Sequence, residues 1–250
     1  DGIQWQLVSE TAPFGTRKNH TLTEFKGRLW VIAGDTSSGL SNDVWVSDDG
    51  SSWTLVTENA AFTKREGHMV VATDDALYLM GGDDDNGFWN LKDVWRSTDG
   101  DTWNLIASSA GYKQEQRPDA EYFNNKLWIF DGAKIYTASI ETPAVWSQAG
   151  TISQWADYHN EVAIHNGVLF MYTYHGKLLS SMDATTWIEV ASDEYRLPKK
   201  LQNSQLVSKD GYLWILGGRF GVNNSYLGNT WRYSAADEWR ILLKREIPFY

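Results

Sequence analysis

The sequence predicts an all-β fold, a β-propeller of four-stranded antiparallel blades, from two observations. One turn sequence occurs three times, as SDDGSSW at 47–53, STDGDTW at 97–103 and SMDATTW at 181–187. In addition, five strand-like segments share a central aromatic residue, at Trp30, Tyr78, Trp128, Phe170 and Trp214. Repeats of roughly 40–50 residues that contain short strands and no helical period are typical of propeller blades.

Each repeat contains short apolar or alternating segments that are separated by Gly, Asn and Asp turns. This pattern is typical of four antiparallel strands, which we name a to d from the axis outwards. Because a single four-stranded sheet cannot bury both faces, the sheets must stack around an axis. We predict five blades in one domain spanning 1–250, with repeats at 9–56, 57–106, 107–149, 150–190 and 191–242.

The number of blades has an alternative, because tryptophans at the position of an outer strand occur six times. They are Trp5, Trp53, Trp103, Trp146, Trp187 and Trp239. We expect IQWQLV in the first eight residues to pair into the final blade and close the ring, with EWRILLKREIPFY as a duplicate strand or a cap. A sixth blade truncated upstream is the other possibility.

The repeated turn sequence is interpreted as the hairpin between strands c and d. In SDDGSSW we expect the carboxylates of Asp48 and Asp49 to accept hydrogen bonds from nearby backbone N–H groups. Gly50 is expected to adopt a positive φ, and Trp53 to enter the outer strand and pack between blades. The motif is therefore predicted to stabilise the fold rather than to catalyse a reaction.

These motifs together resemble those of bacterial kelch-type propellers, whose repeats are also found in the central domain of galactose oxidases. The similar segments are LMGGD with DVWRSTDGDTW in the second repeat, and ILGG with NTW in the fifth. The third repeat has Asp131 and Gly132 in place of the paired glycines, and the fourth has neither. The hairpins are also similar to a shortened Asp-box of sialidase-type propellers. The resemblance implies a fold and says little about the ligand.

Composition limits the possible partners. A formal net charge of −10 argues against nucleic acid, and no apolar segment approaches the roughly 18 residues of a membrane helix. The absence of cysteine excludes disulfides, thiol catalysis and a Cys-ligated zinc site. DDDNG at 83–87 lacks the spacing of a calcium loop, so we predict a polar turn there. No cofactor and no metal are expected.

Candidate binding residues concentrate on one face. The predicted strand order places the long d–a and b–c loops together there, and rigid scaffolds commonly carry their binding residues on such loops. Aromatic rings in these loops could stack on sugars or could pack down to stiffen the loops. They are Phe88, Trp89, Tyr112, Trp155, Tyr158, Tyr174, Phe220 and Tyr226.

Alignment of the repeats predicts a ring of residues at the mouth of the axial channel. Equivalent positions hold His20, His68, Pro118, Asn160 and Ser204, and three residues earlier lie Arg17, Arg65, Glu115, Asp157 and Leu201. Arg17, Arg65 and Arg117 could bind a carboxylate or sulfate of a ligand. Alternatively Glu115, Asp119 and Asp157 satisfy these arginines internally. Candidates for acid–base chemistry are Asp119, Asp157, His159 and Glu161.

The sequence therefore favours a non-catalytic domain that recognises a glycan or a protein through the loop-bearing face. One alternative is an enzyme that processes an acidic sugar, as a hydrolase, lyase or epimerase, at the channel mouth. Another is a purely structural domain of a larger protein. We expect a monomer or one domain of a longer chain, at a secreted, periplasmic or cell-surface location, with no insertion into a membrane.

Overall fold

A computed structural model describes residues 5–87, 91–112, 118–152, 160–190, 201–202, 204–220, 226–227, 230–233, 240–243 and 246–247. Every regular element in these ranges is a β-strand, and the strands form five antiparallel blades in a ring. The predicted five-bladed β-propeller is confirmed. No helix in the described ranges is long and apolar enough to cross a membrane.

The first two blades follow the predicted strand order from the inner strand outwards. Blade 1 consists of Thr21–Phe25, Arg28–Thr36, Gly39–Ser47 and Thr54–Thr57, with the short strand Arg17–Lys18 paired to its second strand. Blade 2 consists of Met69–Ala72, Leu77–Met80, Val94–Ser97 and Asn104–Ala107.

The remaining blades repeat this layout. Blade 3 consists of Asp119–Phe123, Lys126–Asp131, Lys134–Ser139 and Ser147–Thr151. Blade 4 consists of Glu161–His165, Val168–Tyr172, Leu178–Ser181 and Ile188–Glu189. Blade 5 consists of Gln205–Lys209, Tyr212–Leu216, Thr230–Tyr233 and Arg240–Leu243. A small separate sheet is formed by Leu201–Gln202, Arg219–Phe220, Tyr226–Leu227 and Glu246–Ile247.

The hydrophobic core lies between neighbouring blades, because each sheet buries its faces against the next one. Trp30 and Phe62 belong to the cluster between blades 1 and 2. Similar clusters fill the next three seams, around Tyr112, Phe130 and Trp231 respectively. Stacking of blades, rather than any single sheet, therefore buries the apolar side chains.

The seam between blade 5 and blade 1 differs from the others. Leu22 on the inner strand of blade 1 is 60% exposed, whereas the equivalent residues of the other blades pack into the clusters between blades. Those equivalents are Val70, Ala120, Val162 and Leu206. In the described part of the chain no comparable cluster joins blade 5 to blade 1.

The first eight residues do not have the predicted place in the sheet. Trp5, Leu7 and Val8 are exposed, and residues 5–8 lie in no strand. The outer position of blade 5 is occupied instead by Arg240–Leu243, within the EWRILL segment. Because that strand already pairs with Thr230–Tyr233, the expected pairing of residues 1–8 with the final blade is not seen at the four residues of this segment that the structure describes.

The repeated hairpins have the predicted conformation, with one correction. Gly50 and Gly100 have φ values of 76° and 79°. The carboxylate of Asp49 accepts hydrogen bonds from the backbone N–H groups of Ser51 and Ser52, and Asp99 and Asp183 make the equivalent bonds. These bonds hold the pKa of Asp49 well below its usual range. Asp48 does not fold back as predicted, because it forms an ion pair with Arg28.

Candidate functional site

The axial channel contains a cavity of about 450 Å³ that opens between the inner strands. All five blades contribute to its wall, and Leu22, Thr23 and Glu24 of blade 1 extend along it. The other residues used below are His20, Thr21, His68, Asp119, Glu121 and Gln205. Because most of these side chains carry hydrogen-bonding groups, the cavity is suited to a polar ligand.

Two histidines lie where the chain enters the inner strands of blades 1 and 2. Gly82, just after the second strand of blade 2, lets the backbone approach closely, since a Cβ at Gly82 would lie 2.7 Å from the carbonyl oxygen of Glu66 and 3.0 Å from the Cβ of His68. A Cβ at Gly34 would meet His20 in the same way. Gly34 and Gly82 therefore leave room for the backbone and Cβ atoms of both histidines.

Both imidazoles are neutral at physiological pH. Burial and the Arg65 charge lower the pKa of His68 to about 3, and burial together with Arg17 lowers the pKa of His20. The Nε2 atom of His68 lies 3.2 Å from the Oγ1 atom of Thr21, which joins the first two blades. The Nδ1 atoms of both rings are buried without a hydrogen-bond partner. His68, a predicted binding residue, thus lines the cavity as an uncharged group.

Three carboxyl groups gather where the inner strands of blades 3 and 4 meet. Asp119 accepts hydrogen bonds from the backbone N–H groups of Val162, at 2.7 Å, and Ala120, at 2.8 Å. Burial raises its pKa to about 6 despite these bonds. Burial and the neighbouring Asp119 charge raise the pKa of Glu121 to about 8, and they raise that of Glu161 as well. These groups hold protons at a pH where ordinary carboxyls are ionised.

Arg17 and Arg65 are paired with aspartates of the chain and do not line the axial cavity. The guanidinium of Arg65 is fully buried and binds both carboxylate oxygens of Asp93 at 2.7 Å. It also donates to the carbonyl oxygens of Thr63 and Gly81. Arg17 binds Asp43 in the same bidentate manner and donates to the carbonyl oxygens of Phe14 and Ala33.

The internal partners of these arginines are not those expected from the sequence. Glu115, Asp119 and Asp157 were the expected acids, but Asp43 and Asp93 are the aspartates of the DVW motif. Each also accepts a hydrogen bond from the indole of the tryptophan two residues later, Trp45 or Trp95. A sequence signal for these pairs exists: repeats 1 and 2 each have an arginine before the inner strand and an aspartate in the DVW motif.

The comparisons with known proteins agree with the fold. Residues 102–203 match the family model described as the DUF6242 beta propeller domain. This segment extends from the last hairpin of blade 2 to the start of blade 5. The chain is similar to that family there, over less than half of its length. A search of curated proteins finds no match. The kelch-type and Asp-box-like resemblances stay predictions.

Two aromatic candidates of the loop-bearing face can be placed. Tyr112 is buried, with its ring 5.4 Å from that of Trp146, so it packs between blades instead of meeting a ligand. Tyr174 is half-buried and contacts His175 edge-on. Phe220 and Tyr226 lie in short strands whose side chains are outside the described part. The remaining candidates also lie outside the described residues: Phe88, Trp89, Glu115, Arg117, Trp155, Asp157, Tyr158 and His159.

The DDDNG segment forms a local turn in its described residues. Asp84 accepts hydrogen bonds from the backbone N–H and the side-chain amide of Asn86. Within the described ranges, no group of three or more His, Asp or Glu side chains is arranged to hold a metal ion.

Proposed function

We propose that the protein is a non-catalytic binding domain that takes a glycan in its axial cavity, from a secreted, periplasmic or cell-surface location. One observation carries the proposal: a cavity of about 450 Å³ that is lined by all five blades, four of which contribute hydrogen-bonding side chains at or next to their inner strands. A rigid concave site with a few convergent polar groups is the usual form of a small-molecule site.

The chemistry of the wall favours a neutral, hydroxyl-rich ligand. Thr21, Thr23 and Gln205 offer both donors and acceptors. His20 and His68 are uncharged, and the protonated carboxyls of the blade 3–4 seam can donate as well as accept. The exposed side chain of Leu22 provides an apolar surface for the C–H groups of a sugar ring. A protein partner with a flat surface could not contact these groups, because they lie inside the cavity.

An acidic sugar is disfavoured at this site because the predicted cationic partners are occupied elsewhere. Arg17 and Arg65 donate their hydrogen bonds to Asp43, Asp93 and backbone carbonyls, and neither lines the cavity. A ligand carboxylate in the channel would also face Glu24 and the carboxyls Asp119 and Glu121.

Filling the cavity tests the proposal. On a glycan array, the parent protein should bind a subset of neutral glycans, and Leu22→Trp should reduce this binding at least about tenfold by occupying the space. The matched control is Leu105→Trp on the outer strand of blade 2, where the leucine is 49% exposed and the new ring remains in solvent. Glycan binding that is equal in both variants, or absent from the parent, would overturn the proposal.

A carbohydrate-processing enzyme is the second candidate, and one observation favours it. Asp119 and Glu121 line the same cavity two residues apart on one strand, with pKa values raised to about 6 and about 8. A carboxylate and a protonated carboxyl near neutral pH are what acid–base catalysis needs. This candidate predicts turnover of nitrophenyl glycosides that Glu121→Gln abolishes, whereas a binding domain shows none in either protein.

A further inference from the structure

A second cavity, of about 350 Å³, lies between blades 2 and 3 on the face opposite the long loops. The tight a–b hairpin of blade 2 contributes Asp74 and Asp75, and that of blade 3 contributes Asn125. Tyr122 and Pro143 form part of the wall from blade 3. The axial cavity shares none of these residues, so the two sites are separate.

Arg96 brings a positively charged guanidinium to the wall of this cleft. It is half-buried on the third strand of blade 2, directly opposite Tyr78. Its Nε atom donates to the Tyr78 hydroxyl at 3.1 Å, and its Cζ atom lies 5.9 Å from the centre of that ring. Among the described residues nothing accepts a hydrogen bond from its two terminal NH₂ groups. The fork that binds carboxylates is therefore held by Tyr78 and left unused by the described part of the chain.

Four other arginines whose side chains the structure describes already have partners. Arg17, Arg28 and Arg65 each form an ion pair with an aspartate of this chain. Arg232 is at the position in blade 5 that corresponds to Arg96, and its Cζ atom lies 4.1 Å from the ring centre of Tyr212, stacked on the aromatic face. Arg96 differs from Arg17, Arg28 and Arg65 because no carboxylate among the described residues pairs with it, and from Arg232 because it lines a cleft.

The same cleft also carries negative charge. Asp74 and Asp75 are exposed in the hairpin and form no ion pair with Arg96. The Tyr122 hydroxyl donates to the Oδ1 atom of Asn125 at 3.1 Å, which orients that amide at the edge of the cleft. A ligand in the cleft would need an anionic group for Arg96 and hydrogen-bond donors for the aspartates. Ile140 and Pro143 add apolar surface to the wall of the cleft.

We propose that this cleft binds a sugar acid of monosaccharide size, such as a hexuronic acid. Its carboxylate forms a bidentate pair with the terminal NH₂ groups of Arg96. Its hydroxyls donate to Asp74 and Asp75 and accept from Asn125, and one face of its ring packs on Pro143 and Tyr122. The site is independent of the axial cavity and does not rest on the function proposed for it.

Titration with D-glucuronate, followed by calorimetry, tests this site. The parent protein should bind it saturably, and D-glucose at least about tenfold more weakly because it lacks the carboxylate. Arg96→Lys should weaken glucuronate binding at least about tenfold, since an ammonium cannot form the bidentate pair. The matched control Arg232→Lys should leave the affinity unchanged. Asp75→Asn, at an exposed hairpin position, should weaken binding without changing the melting temperature.

The following results would contradict the proposed glucuronate site. No saturable binding of glucuronate to the parent, or equal affinity in Arg96→Lys and the parent, would remove Arg96 from any such site. Equal losses in Arg96→Lys and Arg232→Lys would indicate a nonspecific charge effect. Leu22→Trp should retain glucuronate binding; if it alone abolishes binding, the acid enters the axial cavity and the cleft is not its site.

Discussion

At the scale of single residues, Gly50 and Gly100 occupy the same position of two repeated hairpins but have different surroundings. A Cβ at Gly100 would lie 2.0 Å from the Cζ3 atom of Trp30 in the neighbouring blade. A Cβ at Gly50 would meet only the Cδ1 atom of Leu29, at 3.5 Å. The third hairpin has Ala184 at this position with φ 64°, so the turn itself accepts a methyl group. Close approach of another blade, not only the turn, requires glycine at Gly100.

We therefore predict that Gly100→Ala is more destabilising than Gly50→Ala. Gly50→Ala should lower the free energy of unfolding by about 1 kcal/mol, from the positive φ alone. Gly100→Ala should cost about 2–4 kcal/mol, because displacement of the Trp30 indole adds an overpacking penalty. Urea unfolding of both variants measures the difference. Equal losses would show that Trp30 does not lie over Gly100.

At the scale of structural elements, the arginine–aspartate–tryptophan groups join the start of a blade to its third strand. Arg65→Ala leaves the carboxylate of Asp93 without its cation in a largely buried site. We expect a loss of about 3–5 kcal/mol in the free energy of unfolding. The control is Arg28→Ala, whose ion pair with Asp48 is exposed; it should cost less than about 1 kcal/mol. Chemical denaturation measures the free energy of unfolding of both variants. Similar small losses in both would contradict a structural role for Arg65.

The carboxyls between blades 3 and 4 should make stability depend on pH. Burial raises the pKa of Asp119 to about 6 and that of Glu121 to about 8. At a pH between the ordinary pKa of each group and its raised pKa, the folded state therefore binds more protons than the unfolded chain. Stability is therefore fully present at low pH and falls as pH rises through about 6 and about 8. Urea unfolding at several pH values should show this fall.

Substitution of Glu121 tests whether these carboxyls cause the pH dependence of stability. Glu121→Gln keeps the shape of the side chain and removes one titrating group, so stability should fall less steeply with pH in this variant. Asp101→Asn, at an exposed hairpin residue, should follow the parent curve. A free energy of unfolding that rises with pH around the Glu121 pKa of about 8 would contradict this prediction. It would mean that these carboxyls are ionised and paired in the folded state.

At the scale of the whole molecule, the repeats determine the fold but not the ligand site. The spacing of the central aromatics and the DG hairpins predicted five blades, because those features depend on neighbours within one repeat. The partners of Arg17 and Arg65 lie 26 and 28 residues away, so only a comparison of repeats 1 and 2, and no pattern within a few residues, could indicate their pairing. The burial of the carboxyls at 119, 121 and 161 depends on how two blades meet, which sequence spacing does not specify.

Trp5 and Trp103 both follow a DG sequence, but only Trp103 is packed into the ring of blades. In DGDTW, Trp103 is 4% exposed, packs against Phe62 and donates its indole N–H to the carbonyl oxygen of Gly100. In DGIQW, Trp5 is 67% exposed, because no third strand is left for this segment to pair with in blade 5. An outer-strand sequence thus becomes a strand only where a neighbouring strand has an unpaired edge.

The two tryptophans should therefore respond differently to truncation. Trp103→Ala removes a buried ring from the seam between blades 1 and 2 and should cost about 3–5 kcal/mol. Trp5→Ala should change the free energy of unfolding by no more than about 0.5 kcal/mol, as is usual at exposed positions. Urea unfolding of both variants at equal protein concentration makes the comparison. A loss in Trp5→Ala as large as that in Trp103→Ala would mean that the first residues do pack into the ring, since only burial of the indole could give its removal such a cost.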